Sequence, residues 1–313
     1  MIVTVTLNAA LDTTYRLDAL RPGDTNRVAS VAQRAGGKGV NTARVLAARG
    51  RSVLVTGLAG GPSGQALRDD LDASSLPHRL TPVQGATRRT VAVVADDGEV
   101  TGLWEPGPEI SAAEWRRFAE HDFPSALAEA EVVVVSGSLP PGVPVDAYAL
   151  LLRRAAQLGV PAVLDADGEA LLAGLAGRPA LVKPNAEEAR RATGAAHPAA
   201  AADRLRELGA VTAVVTAGAD GLFGSTAGSR WHTPAPRRVH GNPTGAGDAA
   251  TAALAIALAE GLPWARATAD AAALAAAAVA APLAGDYDPA LYRELLKASD
   301  AYSGPHPGLH ADR

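Results

Sequence analysis

Short apolar, β-branched runs that stop at Gly, Asp or Asn alternate along this chain with stretches of helical spacing. The runs are MIVTVTL (1–7, halting before Asn8), SVLVTGLAG (52–60), EVVVVSG (131–137), VPAVLDA (160–166), PALVKPN (179–185) and AVTAVVTAG (210–218). Helical patterns occupy GKGVNTARVLAARG (37–50), 64–73, 111–130, 144–158, 168–176 and 187–208. Alternation of this kind predicts an α/β fold with parallel strands and helices on both sheet faces. Right-handed crossovers then restrict the topology. Ligands of such sheets gather beyond the carboxyl ends of the strands. Here those ends offer Asn8 to Asp12, Gly137-Ser138, Lys183-Pro184-Asn185 and Thr216-Ala217-Gly218.

Composition narrows the chemistry. The 313 residues are 48% hydrophobic and 20% charged, enough apolar content for a large core and too little charge for wholesale disorder. With no cysteine, disulfides, thiolate metal sites and cysteine nucleophiles are all excluded. A net charge of −4 argues against a nucleic-acid binder. MIVTVTLNAALD has no basic stretch ahead of an apolar one, so no secretory leader is expected. The Ala, Leu and Val run at 271–281 is shorter than the ~20 residues that span a bilayer and reads as a closely packed helix. The expected protein is soluble and cytoplasmic, with no nucleic-acid or membrane partner.

Two segments break the rhythm. Residues 13–35 and 87–104 have strand-like alternation without intervening helices, and the second carries Asp97-Gly98 between its two runs, a hairpin signal. Both are expected as antiparallel strands standing off the main sheet as a flap. From residue 245 the pattern is helical almost throughout, and the tail 301–313 is expected to fray. No long linker or internal repeat divides the chain.

The most informative segment is GNPTGAGDAATAALAIALAEG (241–261). Gly245-Ala246-Gly247-Asp248 opens an Ala-rich helix, where exposed N–H groups and roughly half a positive charge make an anion site. Asp248 would repel a phosphate there, unless its carboxylate faces the nucleophile and accepts a hydroxyl proton while the amides stabilise a transferring phosphoryl group. Alternatively, Asp248 is an ordinary first-turn helix acid and the glycines a tight turn. A dinucleotide fingerprint also fits G-x-G-x-x-A on paper, but Asn242-Pro243 precedes it where a strand is required. The Walker pattern, a protein-kinase catalytic loop and H-E-x-x-H are all unmet, and none of the seven histidines has an obvious ligand partner. In Ala35-Gly36-Gly37-Lys38-Gly39-Val40-Asn41, three glycines surround a lysine at a helix start, which suggests a backbone passing close to a ligand, or else a flexible turn. Only three lysines exist (Lys38, Lys183, Lys297), and two of them lie in motif-like settings, where a compact ammonium serves better than a guanidinium fork.

AGGKGVN and NPTGAGD resemble the two signatures of the ribokinase-like (PfkB) carbohydrate kinases. TLNAALD, GSLPPG, KPNAEE and TAGADG resemble the branch that phosphorylates sugar phosphates, and the matches run in family order from residue 4 to about 260. The resemblance implies one three-layer α/β/α domain over 1–313, with the flap as a lid, and transfer of a phosphoryl group from ATP, with Mg2+, to a sugar hydroxyl. It implies Asp248 as base and the amides of Gly245, Ala246 and Gly247 as anion hole. Asn185 and Glu188 match N-x-x-E, which positions magnesium, often through water. Lys183, Thr216, Gly218, Gly221 and Gly247 would face the nucleotide; Asp12, Gly37, Lys38 and Asn41 would hold the sugar. Arg27, Arg88 and Ser138 would take the acceptor's own phosphate. The order of expectation is fructose 1-phosphate, then tagatose 6-phosphate, then fructose 6-phosphate, with an unphosphorylated sugar or nucleoside, or a non-catalytic sugar-phosphate sensor, as alternatives. A homodimer through the lid is expected. Two departures stand out: Ala9 where the branch usually has Pro, and no alignable adenine wall in the Ala-rich C-terminal helices.

Overall fold

The computed structural model describes residues 1–302, with side chains through 298. The strands are β1 (Ile2–Thr6), β2 (Ala10–Leu17), β3 (Ser30–Gly36), β4 (Val53–Gly60), β5 (His78–Val83), β6 (Arg88–Ala95), β7 (Val100–Trp104), β8 (Val132–Ser136), β9 (Ala162–Asp165), β10 (Leu181–Val182), β11 (Thr212–Thr216), β12 (Leu222–Ser225) and β13 (Arg230–Thr233). The helices are α1 (Lys38–Ala48), α2 (Gly61–Ala73), α3 (Ala112–Arg117), α4 (Phe123–Ala126), α5 (Ala147–Gln157), α6 (Gly168–Leu175), α7 (Ala186–Thr193), α8 (Pro198–Glu207), α9 (Ala246–Glu260), α10 (Trp264–Val279) and α11 (Pro289–Tyr302).

Among the described residues, a nine-stranded sheet runs β13-β12-β11-β10-β9-β8-β1-β4-β5, parallel from β5 to β11 and closed at the other edge by antiparallel β12 and β13. Its central strands are apolar on both faces because both faces are covered. In β8, Val132 and Val134 join the core that contains α1, α9 and α10, while Val133 and Val135 join the one that contains α5, α6 and α8. The all-round burial of α9 from Asp248 to Ala257 follows from the same layering, since alanine lets the sheet, α1 and α10 approach it closely. This is the expected three-layer α/β/α arrangement.

The flap is a second sheet of order β3-β2-β6-β7. Its two hairpins, β2–β3 and β6–β7, are antiparallel as expected, and they meet along a parallel pair, β2–β6.

Five local features differ from the sequence reading. β5 is a strand although Pro82 lies in it; proline cannot donate to a ladder, but β5 is the sheet edge, where that donor is not needed. The β12–β13 hairpin also went unread. The helical pattern 187–208 is two helices, because Gly194 ends α7 in the left-handed conformation (φ 73°). The pattern 111–130 stops at Ala126 and passes Phe118–Asp122 as a π turn just ahead of Pro124, which has no N–H for the carbonyl four residues back. Helix α11 enters the tail expected to fray, as far as Tyr302; residues 303–313 lie outside the described residues. No helix among the described residues is long and apolar enough to cross a membrane.

Candidate active site

Because the central strands are parallel, their carboxyl ends deliver side chains to one edge of the sheet. β1 leads to Asn8, β8 to Gly137 and Ser138, β9 ends in Asp165, β10 leads to Lys183 and Asn185, and β11 ends in Thr216. The amino ends of α1, α7 and α9 arrive at the same place, carrying Lys38, Glu188 and Asp248.

Asp165 stands at the centre and is fully buried. Its Oδ1 lies 3.2 Å from Lys38 Nζ and its Oδ2 lies 3.2 Å from Lys183 Nζ. Thr251, one turn along α9 from the Gly247 carbonyl it also touches, donates to Asp165 Oδ2 at 2.7 Å. Burial alone would raise the acid's pKa, but the charges of Lys183 and Lys38 overcome it and hold Asp165 down at about 2. In return the Asp165 carboxylate holds the Lys38 ammonium above its ordinary range. Lys38 also reaches Glu188 Oε1 at 3.4 Å.

The N-x-x-E segment is built as a capping box. Asn185 Oδ1 accepts from the Glu188 N–H and Glu188 Oε2 accepts from the Asn185 N–H, both at 2.8 Å. This spacing is therefore a helix start in its own right, and only Oε1 of Glu188 is turned to the cation. No group of three or more His, Cys, Asp or Glu residues able to hold a metal occurs among the described residues.

Asp248 is buried in the first turn of α9, and Asn41 Nδ2 donates to its Oδ2 at 2.8 Å. Burial, then the nearby Asp165 charge, push its pKa up to about 7 against the opposing pull of Asn41, Lys38 and Lys183. An acid poised there can exchange protons near neutrality, which distinguishes it from an ordinary solvated helix acid. Gly245 caps the helix with φ 88°, and a Cβ there would sit 2.9 Å from Ala284 Cα, so both the turn and the close approach require glycine. The N–H groups of Gly245, Gly247 and Asp248 have no partner among the described residues, whereas that of Ala246 donates to the Pro243 carbonyl at 3.2 Å. Lys183 Nζ lies 3.6 Å from where a Gly247 Cβ would be, so an ammonium borders the cradle.

At the lid side, Asp12 accepts from Thr90, and burial raises its pKa against that bond and Arg88, Arg34 and Arg44. Gly36 lies so close to Asp12 that any Cβ would overlap the carboxylate. Gly37, with φ 102°, turns the chain from lid strand β3 into α1. Arg88 opens β6; its Nε donates to the Asn8 carbonyl at 3.1 Å and its Nη1 to that of Glu105 at 3.2 Å, while Nη2 has no partner among the described residues. Ser138 Oγ accepts from Asn8 Nδ2 at 3.0 Å. Arg27 stands exposed in the β2–β3 connection and makes no hydrogen bond or ion pair with these groups among the described residues.

Beyond the cradle lies a cavity of about 450 Å³. Thr216, Gly218 and Gly221 line it together with Gly247 and Ala250 of α9, and Ala272, Ala275, Ala276 and Val279 of α10 form a wall of mostly small side chains. That wall is what the alanine run concealed: with nearly every residue small, sequence alone does not say which ones face the cavity. Asp165 was also unread as a site residue, although its place at a strand end was the available signal. An Asp165→Asn substitution would leave Lys183 buried without its carboxylate; urea unfolding should show a loss of about 3–5 kcal/mol, the range for breaking one side of a buried ion pair.

A family model for pfkB family carbohydrate kinases matches residues 5–290. Phosphofructokinase-2 from Escherichia coli is 27% identical over 96% of this chain and 99% of its own, with TM-scores of 0.90 for its potassium complex and 0.87 for its complex with fructose-6-phosphate. A possible 1-phosphofructokinase from Thermotoga maritima is 23% identical over 95% of this chain and 97% of its own, with a TM-score of 0.85, a likeness of fold. That match spans nearly the whole length, and the chain belongs to the pfkB family of carbohydrate kinases.

Proposed function

We propose that this kinase transfers the γ-phosphoryl group of ATP to a ketohexose monophosphate, giving the bisphosphate. The observation that carries the chemistry is Asp248: a buried carboxylate with a pKa near 7, oriented by Asn41, one turn from unpartnered helix N–H groups. In this reading Asp248 accepts the proton of the acceptor hydroxyl, and the amides of Gly245 and Gly247, with the Lys183 ammonium beside them, meet charge developing on the migrating phosphoryl group. Ala246 adds its N–H if the turn bond to Pro243 opens. Asp12, Gly37 and Lys38 line the acceptor side, and Asn41 acts by positioning Asp248. Adenosine occupies the cavity between Thr216–Gly221 and the α10 wall.

The donor set suits magnesium in its usual mode, with few protein carboxylates and the remaining positions filled by phosphate oxygens and water. Glu188 Oε1 and Asn185 are the residues that would hold it, mainly through water. When bound, the ion neutralises phosphate charge and aligns the β and γ groups. A cytoplasmic location, where ATP is supplied, accords with this activity.

A phosphorylated acceptor is favoured by Arg88, whose Nη2 is unpartnered beside Asn8, with Ser138 on the other side of Asn8. The sequence motifs rank fructose 1-phosphate first and tagatose 6-phosphate second. Likeness to phosphofructokinase-2 in complex with fructose-6-phosphate brings that sugar forward. The lid also carries exposed apolar side chains on its edge strands, Val31, Val100, Leu103 and Trp104, the last 79% exposed. We place a homodimer interface there.

Three outcomes follow. Asp248→Asn should lower kcat by about 10²–10⁴, and wild-type kcat/KM should fall as pH drops below about 7, because the base is lost on protonation; a variant with unimpaired turnover would remove Asp248 from the role. In a panel read by ADP release, one of the three ketohexose phosphates should give the highest kcat/KM, and Arg88→Ala should raise KM for that acceptor; free ribose, fructose or adenosine outperforming all three would overturn the phosphosugar assignment. Light scattering should give a dimer mass that Trp104→Asp shifts toward the monomer; a wild-type monomer would refute the lid interface.

A further inference from the structure

The lid and the amide cradle are joined by a connection that the reaction scheme above does not use. Arg34, on lid strand β3, lies directly opposite Asp12 in the β2–β3 register. Its guanidinium forks onto Asp286, with Nη2 to Oδ1 at 2.7 Å and Nη1 to Oδ2 at 2.9 Å, and Nη1 also reaches the Ala284 carbonyl at 3.2 Å. The guanidinium is mostly shielded, 23% exposed, and a planar fork on a carboxylate fixes orientation as well as distance.

The far end of this connection is the catalytic crevice. Ala284 is the residue packed against Gly245, the cap of α9, with its Cα 2.9 Å from the ideal Cβ position there. Gly285, in the left-handed region at φ 84°, packs equally closely on α1: an ideal Cβ would lie 3.2 Å from Asn41 Cα. Asn41 is the residue whose amide holds Asp248. The turn 283–286, closed by the Asp286 N–H to the Leu283 carbonyl, therefore touches both the cradle and the residue that orients the base, and it is pinned to the lid by one arginine. The lid's other anchor at this point, the Ala35 N–H on Asp70, leads through Arg44 to the same turn by packing alone: Arg44 Cδ lies 3.0 Å from the ideal Cβ position of Gly285, with no hydrogen bond to the turn among the described residues.

We propose that Arg34 is a positioning residue that couples the lid strand facing the acceptor to the 283–286 turn, so that seating the lid and setting the geometry of Gly245 and Asp248 are one event. This rests on the assignment of Asp248 and the α9 amides to phosphoryl transfer. Arg34 hydrogen-bonds Asp286 and Ala284, and Asp12 feels only its charge, so its removal should act mainly on turnover, with ATP binding intact and any change in acceptor KM smaller than the loss in kcat. Misplacement of a catalytic group by about an ångström is enough for losses on the order of 10²-fold.

The test is a double-mutant cycle with Arg34→Gln and Asp286→Asn, each checked for an intact fold by near-ultraviolet circular dichroism. Each single variant should lose at least about tenfold in kcat with KM for ATP essentially unchanged and any change in acceptor KM smaller than the loss in kcat, and the double variant should be no worse than the worse single. Unchanged kcat, losses that multiply in the double variant, or a loss confined to the acceptor KM would each overturn the proposal. A second measurement needs no turnover: hydrogen exchange of unliganded Arg34→Gln should speed up in the segment 241–250 while the core strand β8 keeps its protection, and unchanged exchange at 241–250 would count against the coupling. Asp248→Asn is measured alongside. If that variant keeps full turnover, the functional reading fails and the exchange result alone decides whether Arg34 sets the cradle.

Discussion

A carboxylate sealed away from water between two ammonium groups organises this molecule. Asp165 ends β9, Lys183 follows β10, Lys38 begins α1 and Thr251 belongs to α9, so one side chain registers four elements at the edge of the sheet. Buried ion pairs of this kind add little net stability over an apolar replacement, because desolvation opposes the attraction. Here they specify an arrangement and tune a neighbour. The negative charge on Asp165 is the second cause, after burial, of the raised pKa of Asp248. A neutral residue at 165 would thus lower the basicity of the group next to the cradle as well as strand two lysines.

How much of this was legible in the sequence depended on whether the signal was local. The turn that opens α9 was readable because Gly245 meets a backbone demand that few other residues can, a left-handed φ against Ala284. The lid was readable because its strands lack intervening helices, and Asp97-Gly98 marks the β6–β7 turn. β5 was obscured by Pro82, tolerated only because the strand is an edge, and edge position is a property of the assembled sheet. The β12–β13 hairpin was obscured by Gly224, which looks like a strand breaker until Trp231 is seen lying across it, leaving no room for a Cβ. Asp165 ended an apolar run like several others, and only the convergence of Lys38 and Lys183 from distant segments sets it apart. Arg27 and Arg88 looked equivalent in sequence; the fold puts Arg88 at the base of the lid beside Asn8 and leaves Arg27 exposed in a connection.

Two lid anchors lead to the 283–286 turn by different means, one by hydrogen bonds and one by packing. The Ala35 bond to Asp70, backed by Arg44, fastens the hairpin to the scaffold. The Arg34 fork fastens the same hairpin to the 283–286 turn, where glycine at 285 lets the backbone lie against α1. The buried end of β3, Ala35 and Gly36, adjoins the Arg34 fork, so a displacement there is passed on through a close-packed region with little compressibility.

Glu188 divides its two oxygens between different tasks, one closing the start of α7 and the other turned to Lys38. A carboxylate that rotated to serve the second task better would uncap its own helix. Replacement by glutamine could keep the cap and lose the charge, and replacement by aspartate would shorten the reach of both. The cap of α7 and the ion pair with Lys38 are therefore set by the same torsion angles, and neither can be adjusted without moving the other.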